Sequence, residues 1–170
     1  DEGCSSKFKE ELEKLKAQNI KSLIIDLRDN GGGLVTEAIA TSEIFVPLGN
    51  TILKSYDKDG NETVTKSSNI NTEKIKIVVL VNENSASATE IFAAAIQDNE
   101  VGTIIGTKTF GKGVMQEVQP LKIGGALKIT IEETAERHPV PVLGTDYKVK
   151  IIYKNIKVAE LDEEDKIIKI

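Results

Sequence analysis

The chain has 170 residues, of which 39% are apolar, so it is long enough to bury the core of one domain. Its formal net charge of −5 argues against a general nucleic-acid binder, because phosphate contacts need a basic surface. The single cysteine, Cys4, excludes an internal disulfide, and no apolar run reaches the length of about 20 residues that spans a bilayer.

Helical and strand-like segments alternate along the first 134 residues. Apolar residues at helical spacing or in short continuous runs identify them. In chain order, the predicted elements are a helix over 6–18, a strand over 22–27, a helix over 34–45, a hairpin over 52–56 and 62–66, a strand over 75–81, a helix over 88–97, a short strand over 103–106, and two antiparallel strands over 114–119 and 126–131. This order predicts an α/β fold in which crossover units form a mostly parallel sheet with flanking helices.

The character of the sequence changes after about Thr134. A proline-containing loop over 136–144 follows, and then three short strands are predicted over 147–153, 156–161 and 166–170. We therefore expect a core over residues 1–134 and a small β-rich extension over residues 135–170.

Residues 84–116 carry the residues best suited to chemistry. Ser85 and Ser87 stand where a strand turns into a helix, and Lys112 lies between two glycines with Gln116 four residues on. A serine hydroxyl becomes a good nucleophile only when a nearby base takes its proton. The chain has one histidine, His138, so a Ser-His-Asp triad is difficult to build, whereas a Ser/Lys pair is available.

A lysine can take that proton only in its neutral form, which burial favours because it penalises the ammonium ion. The loop around Lys112 could shield the amine, and Gln116 could orient it without adding a charge. The alternative is an ordinary glycine turn with a solvated lysine. Likewise, Ser85 or Ser87 could be the nucleophile at a helix start, where free N–H groups stabilise negative charge, or could simply cap the helix.

The glycine run at residues 31–33 follows a strand and precedes a helix. Its amides could hold an oxyanion, although a tight turn explains the run equally well. The G-x-x-x-x-G-K-S/T pattern of a phosphate loop is missing. Asp57, Asp59 and Asn61 fit a hairpin turn better than a calcium loop, and no metal or cofactor is expected.

Three motifs together resemble the C-terminal processing peptidases, the tail-specific Ser/Lys proteases of peptidase family S41. They are D26-L-R-D-N-G-G-G, N84-S-A-S-A-T-E-I and T107-K-T-F-G-K-G-V-M-Q. The resemblance implies a fold related to the crotonase and Clp-protease superfamily. The residues that it implies are Ser87 as nucleophile, Lys112 as general base, Gln116 as supporting residue, and the N–H groups of Gly33 and Ala88, and less directly Gly32, as oxyanion hole.

The resemblance further implies protein or peptide substrates cleaved near their C-termini and an extracytoplasmic location. It leaves a homo-oligomer open. Family members usually carry a PDZ domain before the core, and nothing in these residues corresponds to it. The chain begins at Asp1 without a methionine or a signal peptide, so we expect a mature or excised fragment. The family's usual ending, a Thr-Pro-x-Gly turn and a Gly-x-x-Pro-Asp segment, is not found after residue 133.

Three functions are therefore compatible with the sequence. The first is a serine endopeptidase core that acts through an acyl-enzyme. The second is a binding or scaffold fragment that keeps the protease fold with little turnover. The third, and weakest, is a crotonase-like acyl-CoA enzyme, in which the glycine turn would still bind an oxyanion but Ser87 and Lys112 would need no partnership.

Overall fold

A computed structural model of the chain describes residues 2–122, 124–134, 160–161 and 167–169. The helices in these residues are Cys4–Ala17 (α1), Val35–Glu43 (α2) and Ala88–Asp98 (α3). The strands are Ser22–Asp26 (β1), Thr51–Tyr56 (β2), Glu62–Lys66 (β3), Lys76–Val81 (β4), Gly102–Gly106 (β5), Val114–Pro120 (β6), Ala126–Thr134 (β7), Glu160–Leu161 (β8) and Ile167–Lys169 (β9). All the elements predicted up to residue 134 are present, with ends that differ by up to three residues.

The strands up to Thr134 form two sheets. In the first, β4 lies between β1 and β5 and pairs with both in parallel, so the predicted parallel sheet is confirmed. The second sheet is antiparallel, in the order β3-β2-β7-β6. The sequence predicted its two hairpins but did not indicate that they join through β2 and β7.

The turn between β2 and β3 is built around Asp57. Its carboxylate accepts hydrogen bonds from the N–H groups of Asp59 and Asn61 and from the Asn61 side-chain amide. These bonds are typical of a turn in which an aspartate side chain caps its own backbone. They lower the pKa of Asp57, with the Asn61 side-chain amide as the largest cause.

The extension is described only in part. Strands β8 and β9 pair antiparallel and overlap two of the three strands predicted there. The third predicted strand, 147–153, and His138 lie outside the described residues. Within the described part of the chain, no helix is long and apolar enough to cross a bilayer.

Helix α3 lies between two apolar clusters. Phe92, Ala93 and Ile96 pack into one cluster with the central strand β4, and Ala88, Ile91 and Ala95 pack into the other with β2. Alanines make this possible because they let the helix approach both sheets closely. The start of α3, where the serine motif lies, is therefore packed close to both sheets.

Candidate active site

The three motifs meet at one edge of the parallel sheet. Each follows the carboxyl end of a strand: the glycine turn follows β1, the serine motif follows β4, and the lysine loop follows β5. Because the three strands are parallel neighbours, their carboxyl ends lie side by side. This edge is where ligands bind in open α/β sheets.

Asp29 joins the glycine turn to the serine motif. Its carboxylate accepts hydrogen bonds from the side-chain amides of Asn84 at 2.7 Å and Asn82 at 3.0 Å, and its own N–H donates to Asn82 Oδ1 at 2.9 Å. The Asn84 and Asn82 amides lower the pKa of Asp29. The carboxylate is therefore ionised at neutral pH and keeps the two loops together.

Ser85 has a structural role. Its side chain is completely buried, its hydroxyl donates to the carbonyl of Leu27 at 2.7 Å, and the same oxygen accepts the N–H of Asn82 at 3.0 Å. With both functions of the hydroxyl engaged, Ser85 braces the β1 and β4 loops. Because its hydroxyl is buried and already hydrogen-bonded, Ser85 is less suited than Ser87 to attack a substrate.

Ser87 stands at the N-cap of α3 in an unusual backbone conformation. Its φ is 60° and its ψ is −122°, and the side chain is only partly buried. A positive φ is uncommon for a residue with a Cβ, and such strain collects at functional sites. A serine on a strained strand-to-helix turn is also how other hydrolases expose a nucleophile.

The glycine turn packs directly against Ser87. A Cβ added to Gly32 would lie 2.5 Å from the carbonyl oxygen of Ala86 and 2.9 Å from both Ala88 N and Ser87 Cβ. The N–H of Gly32 donates to Asn30 Oδ1 at 3.0 Å, so an oxyanion would compete with Asn30 for it. Gly33, the next residue, is exposed. Gly32 and Ala88, two of the residues predicted for an oxyanion hole, are therefore neighbours, and the role of Gly33 stays a prediction.

Lys112 lies in a loop without regular structure that is fastened to the start of α3. Its N–H donates to Glu90 Oε2 at 2.9 Å, and the N–H of Ser87 donates to the same oxygen at 2.7 Å. Phe110 also donates its N–H to the carbonyl of Ser85 at 3.0 Å. The Lys112 side chain is partly buried. The backbone N–H groups of Ser87 and Lys112 therefore donate to the same carboxylate oxygen, although the two residues are 25 positions apart in sequence.

Gln116 lies on β6 and is exposed. Its side-chain amide donates to Thr130 Oγ1 on the paired strand β7 at 3.4 Å. This contact is a cross-strand one, and the supporting role that the resemblance implies for Gln116 stays a prediction.

Reasoning from the sequence gave no role to two residues whose side chains connect the motifs. Asp29 stood within the glycine motif without a role, and Glu90 stood within the serine motif without one. A signal for Glu90 was present, because Ser-x-x-Glu before an apolar helix is the capping-box pattern. Within the described residues, no group of three or more His, Cys, Asp and Glu side chains could hold a metal ion, and Cys4 is free and exposed.

Comparison with protein-family models gives a match to Peptidase family S41 over residues 1–139. The chain belongs to peptidase family S41. Its relatives include probable CtpA-like serine proteases of two staphylococci. The one from Staphylococcus haemolyticus is 32% identical over 169 residues, which is 95% of this chain and 34% of the relative. The one from Staphylococcus epidermidis is 38% identical over 128 residues, which is 74% of this chain and 26% of the relative.

A solved structure has the same fold. The photosystem II D1 C-terminal processing protease superposes with a TM-score of 0.70 at 29% identity, over 79% of this chain and 35% of that protein. This S41 chain therefore spans about a third of the length of that protease and of the Staphylococcus haemolyticus relative. The shared fold includes the parallel sheet whose edge carries the three motifs.

Proposed function

We propose that this chain carries the catalytic core of a serine endopeptidase that cleaves protein substrates near their C-termini. Membership of family S41 and the serine proteases among its relatives support the reaction class. The name of the structural neighbour, a C-terminal processing protease, supports the substrate class. The acyl-CoA alternative has no comparable support.

One observation carries the residue assignment. The N–H groups of Ser87 and Lys112 both lie within 2.9 Å of Glu90 Oε2, so the two backbones are adjacent at the carboxyl edge of the parallel sheet. The strained conformation of Ser87 and the full engagement of Ser85 both favour Ser87 as the nucleophile.

The proposed reaction is acyl transfer through Ser87 and Lys112. The neutral amine of Lys112 takes the hydroxyl proton as Ser87 Oγ bonds to the peptide carbonyl carbon. The amine then returns that proton to the leaving nitrogen as the peptide bond breaks. Water then attacks the acyl-enzyme while the same amine takes its proton. The ester bond breaks as the amine returns that proton to Ser87 Oγ, which releases the new C-terminus and the free serine.

The carbonyl oxygen gains negative charge at each attack on its carbon, first by Ser87 Oγ and later by water, and loses it when the leaving group departs. We assign its stabilisation to the N–H groups of Ala88 and Gly33. Ala88 is the first residue of α3, a position whose N–H has no acceptor within the helix. Loss of a single oxyanion donor costs about 100- to 1000-fold in kcat in other serine hydrolases, so each of these two N–H groups is expected to contribute on that scale.

The first test is the Ser87→Ala variant. We expect it to abolish hydrolysis of an unstructured peptide and labelling by a fluorophosphonate probe, because both need the Ser87 hydroxyl. Mass spectrometry of the intact labelled protein and a peptide-cleavage assay measure the two effects.

Ser85→Ala is the matched control. It removes a buried hydroxyl and should lower the stability by about 1–3 kcal/mol, but the folded variant should still be labelled at Ser87. Turnover at the wild-type rate in Ser87→Ala would refute the nucleophile assignment. A folded wild-type chain that takes up no probe would instead favour the binding-fragment alternative.

The family resemblance also leads us to propose an extracytoplasmic location. Substrates would then be proteins whose C-terminal ends are exposed on that side of the membrane. Fractionation of the source cells with an antibody against the chain tests this location, and recovery only in the cytoplasmic fraction would contradict it.

A further inference from the structure

We propose that Glu90 is a positioning residue that fixes Ser87 and Lys112 relative to each other, an inference that rests on the proposed function. Glu90 lies in the first turn of α3, three residues after Ser87. It is 4% exposed, and it is the only buried charged residue among those whose burial the structure describes. A carboxylate is retained in such a position only when hydrogen bonds replace its hydration.

The two oxygens of Glu90 collect donors from the serine motif and from the lysine loop. Oε2 accepts the N–H of Ser87 at 2.7 Å and of Lys112 at 2.9 Å. Oε1 accepts the hydroxyl of Thr109 at 2.7 Å and the N–H of Gly111 at 2.6 Å. Three of these four donors belong to a loop about 20 residues further along the chain.

The lysine loop depends on such contacts because no helix or strand shapes it. Residues 107–113 have no regular secondary structure, and Gly111 has a φ of 87°. The loop is also anchored by the N–H of Phe110 on the Ser85 carbonyl and by the Thr107 hydroxyl on Glu83. Glu90 differs from these anchors because it binds the N–H of Lys112 itself, and the same carboxylate oxygen also binds the N–H of Ser87.

A helix cap alone does not account for this arrangement. In a capping box the third residue of the helix has to accept one N–H, and glutamine serves as well as glutamate. Holding four donors needs two acceptor oxygens, which glutamine lacks, because its NH₂ group would face two of the donors. The Glu90→Gln variant therefore separates capping from positioning.

The experiment compares Glu90→Gln with Glu37→Gln in the intact chain. Glu37 is a suitable control because its carboxylate also accepts two backbone N–H groups, those of Gly3 and Ser5, at the start of a different helix. We expect kcat for an unstructured peptide to fall about 100-fold in Glu90→Gln with KM changed little, since a misplacement of about 1 Å has this cost. Glu37→Gln should keep the wild-type kcat per folded molecule.

A folded Glu90→Gln variant with wild-type kcat would overturn the proposal and leave the Ser87 assignment intact. If Glu90→Gln does not fold, Thr109→Val decides, because it removes one donor to Oε1 and leaves the carboxylate in place. A lower kcat in folded Thr109→Val supports the positioning role, and a wild-type kcat contradicts it.

Failure of the proposed function itself would be seen separately, as turnover that survives Ser87→Ala or as a wild type without turnover. Amide hydrogen exchange then tests Glu90. The amides of Gly111 and Lys112 should exchange faster in Glu90→Gln than in Glu37→Gln, and equal protection would overturn the inference.

Discussion

Gly32 shows how little space separates the two loops that form the candidate oxyanion hole. Its φ of +92° belongs to the left-handed region, and a Cβ there would press on the backbone of residues 86–88. Gly31, one residue earlier, has nothing within 4 Å of the corresponding position. Of these two adjacent glycines, only Gly32 therefore has no room for a side chain. The run of three glycines in the sequence does not show which of them is restricted in this way.

We predict that Gly32→Ala costs stability and turnover together. The loss of stability should be about 1–3 kcal/mol, because the new methyl group meets backbone atoms that cannot move without shifting Ser87. Gly31→Ala, the matched control, should stay within about 0.5 kcal/mol of wild type. Urea denaturation and peptide turnover measure both effects. Equal stability of the two variants would show that the turns are not packed as described.

At the scale of elements, α1 is fastened to α2 by Glu37. The carboxylate accepts the N–H groups of Gly3 at 2.8 Å and Ser5 at 2.7 Å, at the N-terminal end of α1. A negative charge is favourable there because it faces the positive end of the helix dipole. The hydroxyl and N–H of Ser5, followed by the N–H of Gly3, lower the pKa of Glu37 from 4.5 to about 2.

This shift predicts how the stability depends on pH. Because the folded-state pKa lies below the ordinary value, the Glu37 contribution is present above about pH 4.5 and fades as the pH falls toward 2. Glu37→Gln should therefore have a lower Tm than wild type at pH 7, and the difference should shrink below pH 4.5. Thermal unfolding at several pH values tests this.

The control for that experiment is Glu10→Gln, which removes an exposed ion pair with Lys14 on the same helix. Exposed pairs of this kind contribute little, so its Tm should stay close to that of wild type. A Tm difference for Glu37→Gln that is the same at pH 7 and pH 3 would contradict the assigned role of the carboxylate.

For the whole molecule, α3 is the element on which both apolar clusters depend. Ile96 is completely buried in the cluster against β4, whereas Ile24 on the edge strand β1 is 66% exposed. The same substitution at these two isoleucines separates the contribution of the core from that of the surface.

We predict that Ile96→Ala lowers the free energy of unfolding by about 2–5 kcal/mol, because it leaves a cavity between α3 and the sheet. Ile24→Ala should cost less than about 1 kcal/mol. Urea denaturation monitored by circular dichroism measures both. A similar cost for the two variants would indicate that α3 is not the centre of the core.

The sequence by itself determined the helices and strands up to Thr134, because apolar periodicity and turn residues act over a few positions. It also determined the three motifs and, through them, the family. It left the roles of Asp29 and Glu90 unassigned and, without the resemblance, the choice between Ser85 and Ser87.

On those points the tertiary structure supplies the observations behind our proposals. Burial of Ser85, the close approach of Gly32 to Ala88, and the shared oxygen of Glu90 all involve residues from different loops. They become neighbours because three parallel strands end at the same edge of one sheet. The spacing of residues along the chain does not predict which loops meet there. Hydrogen bonds between loops depend on which strands pair, and not on the local conformational preference of each residue.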